Sequence, residues 1–175
     1  MKTVSQAAVS AIVSGTVASI AITAALAMLA RAEGKVSLQP INATSHWLHG
    51  DHAASLTEAD AAHTLVGYAT NHAATWFWAL PFEMWLANRR PRTPLSMLRD
   101  ASIMSAIAAA VDYGATPRRF TPGWELVLSK RSMLATYGAM ALGLAAGALI
   151  TQGWRRGRQR QILVVGRRDP GARRP

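Results

Sequence analysis

The chain contains no cysteine. That excludes disulfides, zinc–thiolate and iron–sulfur sites and thiol catalysis, and leaves the redox compartment unmarked. Charge is scarce as well, at 16% of 175 residues against about 25% in soluble domains. Acids are scarcer than bases: nine Asp and Glu stand against nineteen Lys and Arg, for a net charge of +10. No nucleophile elbow, HExxH pair or Gly-rich phosphate loop occurs. The sequence therefore marks no catalytic residue and gives no sign of an enzyme.

What is abundant is apolar. Half of the residues are hydrophobic, and they gather in blocks separated by charged connectors. Residues 7–30 carry no charge over 24 positions, about 36 Å of helix and enough to cross a bilayer. A secretory signal peptide is the rival, because Ala30-Arg31-Ala32 imitates its cleavage site. A signal core of about 7–15 residues is much shorter than this run. Three further segments follow, residues 62–87, 96–115 and 132–152. The expected fold is all-α: a polytopic membrane protein built as a bundle of four transmembrane helices within residues 1–154. Residues 155–175 form an Arg-rich tail, punctuated by Gly and Pro, that is expected to be disordered.

The second span organises the rest, because it keeps His63, Asn71, His72 and Glu83. Such residues avoid lipid and turn toward partner helices or a wet cavity. Ser55-Leu56-Thr57-Glu58 fits a capping box, so this helix should start near Leu56. It should kink at Pro81 and end at Arg89-Arg90-Pro91-Arg92. Thr93-Pro94 then reads as an N-cap followed by Pro at the first helical position, opening a third span that carries Arg99 and Asp112. With the second and third helices antiparallel neighbours, Glu83 falls roughly 13 Å and Arg99 roughly 10 Å inward of mid-helix. His72 falls roughly 4 Å and Asp112 roughly 10 Å outward. These depths pair Glu83 with Arg99, and Asp112 with His63 or His72. The pairs fix helix register, or else form a proton relay through His72, Glu83 and Asp112.

His46, His49 and His52 recur at three-residue spacing in the connector between the first two spans. On a helix, neighbours three apart can share a divalent metal, with Asp51 or His63 adding a ligand. Gly50 interrupts that helix, which favours a solvated polar loop instead. No other cofactor is implied. Trp124 begins a short segment leading into the last span. That span carries Ala139, Gly143 and Gly147 at four-residue spacing, the small-xxx-small pattern that lets two backbones approach closely. Ala8, Ser14, Gly15, Ala18, Ser19 and Ala25 give the first span a similar face. The Gly143/Gly147 face is expected to pack against a second copy or another membrane protein.

Basic residues set the orientation. With four spans, thirteen of the nineteen fall on the side of the termini and six on the other. Both termini should therefore be cytoplasmic and the His-bearing connector outward. Eight arginines follow Trp154, a cluster suited to anionic lipid headgroups. It lacks the aromatic residues that would stack on nucleic-acid bases.

Three stretches carry a resemblance: residues 40–48 (PINATSHWL); Asn71-His72 ahead of Phe82-Glu83; and Val111-Asp112-Tyr113 ahead of residues 119–125 (RFTPGWE). The pattern resembles small bacterial inner-membrane proteins of four helices whose activity is uncharacterised. The resemblance implies a bacterial inner membrane and assigns no site residue. The function expected is that of a structural or accessory membrane component. A small transporter or proton-relay protein is the first alternative. An outward-facing metal-binding protein is the second.

Overall fold

The computed structural model describes residues 3–87 and 92–168, with residues 158–168 as backbone only. It is all-helical, with no strand among the described residues. The long helices are α1 (Val4–Ala32), α4 (Val66–Ala87), α5 (Pro94–Gly114) and α6 (Lys130–Arg168). Short α2 (Gln39–Ala43) and α3 (His46–His49) fold the connector between α1 and α4. Three 3₁₀ turns, Asp51–Ser55, Arg118–Phe120 and Trp124–Leu126, shape the connectors.

Three helices are long and apolar enough to cross a membrane: Val4–Ala32, Pro94–Gly114 and Lys130–Gly157. They point to a membrane protein. So does the surface, where Val9, Ile12, Ile20 and Met28 of α1, Ile103 and Ile107 of α5, and Leu134 and Leu142 of α6 are exposed. The segment at 62–87, central in the sequence, is not among the three. Its Trp, His, Asn, Pro and Glu residues dilute its hydropathy.

The central pair is α1 against α6, flanked by α4 on α1 and by α5 on α6. Small residues decide this. A Cβ on Gly143 would lie 2.5 Å from the Ala18 Cα, and one on Gly147 would lie 2.4 Å from the Ser14 Cα. Nothing larger than Gly fits, so the backbones close directly on each other. The face that the sequence assigns to a partner is thus occupied by α1 of the same chain. Ala139 lies half-buried one turn further along. On α1, Ser14, Gly15, Ala18, Ser19 and Ala25 are buried as expected, but Ala7 is buried in place of Ala8.

Helix starts follow local chemistry. Thr93 caps α5 by accepting from the Ser96 N–H at 3.3 Å, with Pro94 at the first helical position. The start of α4 differs from expectation. Ser55 donates to the His52 carbonyl within a 3₁₀ turn at 2.7 Å. Asp60 is the true N-cap, accepting from the His63 N–H at 2.6 Å. A single π-turn, Ala61–Leu65, leads into α4, and Pro81 sits inside that helix without ending it. The expected helix end at Arg89, Arg90 and Pro91 lies outside the described residues. Where a disordered tail is expected from residue 155, α6 continues to Arg168. No Pro interrupts it, and Arg and Gln are good helix formers. Its 39 residues span about 58 Å, well beyond a hydrocarbon core of about 30 Å. The final part of the tail, 169–175, lies outside the described residues.

Candidate functional site

The two connectors meet at one end of the bundle and form a lid. Residues 40–46 are almost wholly buried there. Asn42, fully buried, donates to the Leu56 carbonyl at 2.9 Å and the Glu58 carbonyl at 3.0 Å, and accepts from the Thr64 hydroxyl at 2.6 Å. The His46 Nε2 lies 2.9 Å from the Thr121 carbonyl and so carries the proton. Trp124 donates to the Thr44 hydroxyl at 3.2 Å, and Arg119 donates to the Trp47 carbonyl at 3.0 Å. Arg118 and Asp51 pair at 3.2 Å on the surface. Gly123, with φ of +82°, lets the backbone close onto Ala43, whose carbonyl would lie 2.4 Å from any added Cβ. Two stretches that stand out in the sequence, 40–48 and 119–125, are thus the two halves of one roof.

A second clasp joins α1 to α6. The Glu33 carboxylate accepts from the Ser129 N–H at 3.0 Å and the Ser129 hydroxyl at 2.6 Å, and also from the Ser132 hydroxyl. The Ser129 hydroxyl, then that of Ser132, holds the Glu33 carboxyl below its ordinary range. At the start of α4, Asp60 is likewise lowered, first by the backbone N–H of His63 and then by its ring.

Beneath the lid lies a cavity of about 200 Å³. Its walls come from Ile22 of α1; Thr70, Asn71, Ala74, Thr75 and Trp78 of α4; Asp112 of α5; and Tyr137 and Met140 of α6. Its roof is Thr44, Trp47 and Phe120 through Pro122 with Trp124. The cavity lies where α4 and α5 stand apart, since they touch only slightly. Three of the six tryptophans converge on it. Asp112, half-buried, accepts from the Tyr137 hydroxyl at 2.6 Å and faces the Trp78 indole. Tyr113 donates at 3.1 Å to Glu125, which Thr121 also contacts.

The expected polar pairs are rearranged. Arg99 donates to its neighbour Asp100 at 2.9 Å rather than to Glu83. Asp100 is buried and also holds Arg92 at 3.0 Å. Glu83 is fully buried in α4, on the side of Arg155 of α6. Asp112 meets Tyr137 rather than a histidine. His63 pairs with Asp60 at 2.9 Å, and His72 lies 3.3 Å from the Thr16 hydroxyl on α1. Asn71 donates to Ser19, also on α1, at 3.4 Å. For Asn71, His72 and Asp112 the reason is shared: α4 and α5 are flanking helices, so these groups turn to α1 and α6, whereas Asp60, His63, Arg92, Arg99 and Asp100 pair locally in the chain.

The loop histidines also separate. Gly50, at φ +86°, ends α3, so the three-residue spacing does not run along one helix. His46 is buried toward Thr121, not solvated. His49 and His52 instead stack near His63, with ring centroids 4.5 and 5.7 Å away. The His49 Nε2 is engaged by the Ala62 carbonyl at 2.9 Å. Among the described residues no group of three His, Cys, Asp or Glu is arranged to hold a metal ion.

Sequence reasoning missed Tyr137, Glu125 and Asp100. Tyr137 is a lone phenol in a charge-free run, a signal that gains meaning only once α6 is known to lie beside α5. Comparison with protein-family models, with curated proteins and with solved structures gives no match to this chain.

Proposed function

We propose that the chain is a four-span protein of a bacterial inner membrane, with both termini cytoplasmic. It serves as an accessory membrane component that holds a small ligand in an outward-facing chamber. The cavity under the two-part lid carries this proposal. The hollow is partly open and has a volume of about 200 Å³. Small-molecule sites are concave, mostly apolar and fitted with few polar groups. This one has aromatic walls, Asn71, several Thr and a single carboxylate.

Four spans are supported by how α4 runs. Its start joins the lid through Thr64 and Asn42. It then descends antiparallel to α1, with Asn71 at Ser19, His72 and Trp76 at Thr16, and Ala79 at Gly15. At the far end, Arg92 exchanges hydrogen bonds with Gln152 at 2.8 and 2.9 Å. A helix packed along α1 in this sense supports a fourth crossing. The balance of basic residues supports the orientation.

The absence of cysteine gives a clean test of orientation. Single variants Ser55→Cys in the lid and Arg156→Cys at the opposite end should be labelled by an impermeant maleimide from opposite sides of the membrane. Labelling of both from the same side would refute four spans. The chamber is tested by Ala74→Phe, which adds bulk to its wall. Small molecules that raise the unfolding temperature of the wild-type chain should lose that effect in the variant.

A further inference from the structure

We infer that the chamber takes a small organic cation, an amine or quaternary ammonium group, held by Asp112 against the faces of Trp78, Trp124 and Tyr137. This rests on the chamber proposed above and adds the class of its ligand.

The chemistry follows from which groups have donors to spare. The Tyr137 hydroxyl donates to Asp112 at 2.6 Å. The Thr75 hydroxyl donates to the His72 carbonyl at 2.8 Å, and that of Thr44 to the Pro40 carbonyl at 3.1 Å. Thr121 donates to the Arg118 carbonyl at 2.8 Å. The indole N–H groups of Trp47 and Trp124 are spent on Thr70 and Thr44 at 3.1 and 3.2 Å. An anion entering the cavity would find most of its walls' hydroxyl and indole donors already committed. The lining includes no Lys, Arg or His. Arg119, on the lid, is exposed and holds the Trp47 carbonyl instead.

What remains is acceptor capacity and π-surface. An ionised carboxylate offers about four acceptor positions; Tyr137 fills one on Asp112 and the Trp78 indole another. Glu125 adds a second negative charge close enough to act on Asp112. Aromatic faces attract cations through the ring quadrupole, most strongly where water is excluded. Carboxylate and aromatic faces together favour a positive ligand over a neutral one of equal shape.

The test uses the full chain in detergent micelles and two probes of matched shape. Choline supplies a trimethylammonium group; 3,3-dimethylbutan-1-ol is its uncharged carbon counterpart. Tryptophan emission follows binding. Choline should bind saturably and at least about tenfold more tightly than the alcohol, and Asp112→Asn should erase that preference. Should Asp112→Asn fail to fold, Trp78→Leu serves: it should weaken choline several-fold and leave the alcohol unchanged. Equal binding of both probes, or a cation preference untouched by Asp112→Asn, would overturn the cation inference and leave the chamber standing. Equal loss of both probes in Trp78→Leu would overturn it too. If neither probe changes emission or unfolding of the wild-type chain, the chamber falls along with its ligand.

Discussion

Replacing Gly147 by alanine adds one methyl group where α1 and α6 touch. That carbon would sit 2.4 Å from the Ser14 Cα and 2.9 Å from its Cβ. Ordinary carbon contact begins near 3.4 Å, so the two backbones must part by about 1 Å locally. Ser14 cannot yield by rotating a side chain, because the contact is to its own backbone. Overpacking of this kind costs about 1–3 kcal/mol. Alanine also has the better helix propensity, by about 1 kcal/mol, which partly hides the clash. Gly138 provides the correction: it lies on the same helix, and a Cβ there meets nothing within 4 Å. Gly138→Ala should be neutral or stabilising, Gly147→Ala destabilising, and their difference about 1–3 kcal/mol. Gly143→Ala, against the Ala18 backbone at 2.5 Å, should behave like Gly147→Ala. The double variant should cost less than the sum, since one separation of the helices serves both. Unfolding in dodecylmaltoside micelles with increasing SDS, followed by circular dichroism, measures each value. Size-exclusion chromatography on the same samples reports the oligomeric state. Equal midpoints for Gly147→Ala and Gly138→Ala would refute this packing. So would a change of oligomeric state at an unchanged midpoint, which would return the face to a partner chain.

Other perturbations separate buried from exposed charge. Asp100→Asn leaves Arg92 without its buried counter-ion and should cost about 3–5 kcal/mol in the same unfolding assay. Arg99→Gln removes a largely exposed guanidinium and should cost under about 1 kcal/mol; comparable losses would contradict the burial of Asp100. Tyr137→Phe deletes the 2.6 Å bond to Asp112 and should cost about 1.5–3 kcal/mol. The Glu33 clasp gives a pH dependence of known sign. Its carboxyl is lowered in the folded chain from an ordinary 4.5, so the clasp is fully present above that value and is lost as pH falls through the lowered one. Amide exchange at Ser129, taken relative to that of the unstructured chain at the same pH, should therefore accelerate as pH falls through the lowered value. Glu33→Gln should remove that acceleration, and an unchanged acid response in the variant would point to another group.

The long helices were legible because the signal for each is local. An uncharged run of 24 residues can only be helical in lipid, since no water is present to satisfy its backbone. The Thr93-Pro94 start of α5 was legible for the same reason. The start of α4 was not, although Ser55 and Glu58 have suitable spacing. Asn42, fourteen residues before Leu56, takes the Leu56 and Glu58 carbonyls with its amide. This long-range contact holds 56–59 out of the helix and passes the cap to Asp60.

Composition and hydropathy by themselves determined that the chain is helical, that at least three of its helices are long and apolar enough for a bilayer, and that its acids need partners. Tertiary structure alone decided who those partners are. Direct contact of α1 with α6 at Gly143 and Gly147 leaves α4 against α1 and α5 against α6, and the pairings of Asn71, His72 and Asp112 follow from that placement. Asp112 therefore meets Tyr137, and the gap between the flanking helices becomes a roofed cavity. The depth of a residue can be counted along one helix, but its neighbour is set by the distance between two, and that distance depends on the methyl groups missing from both.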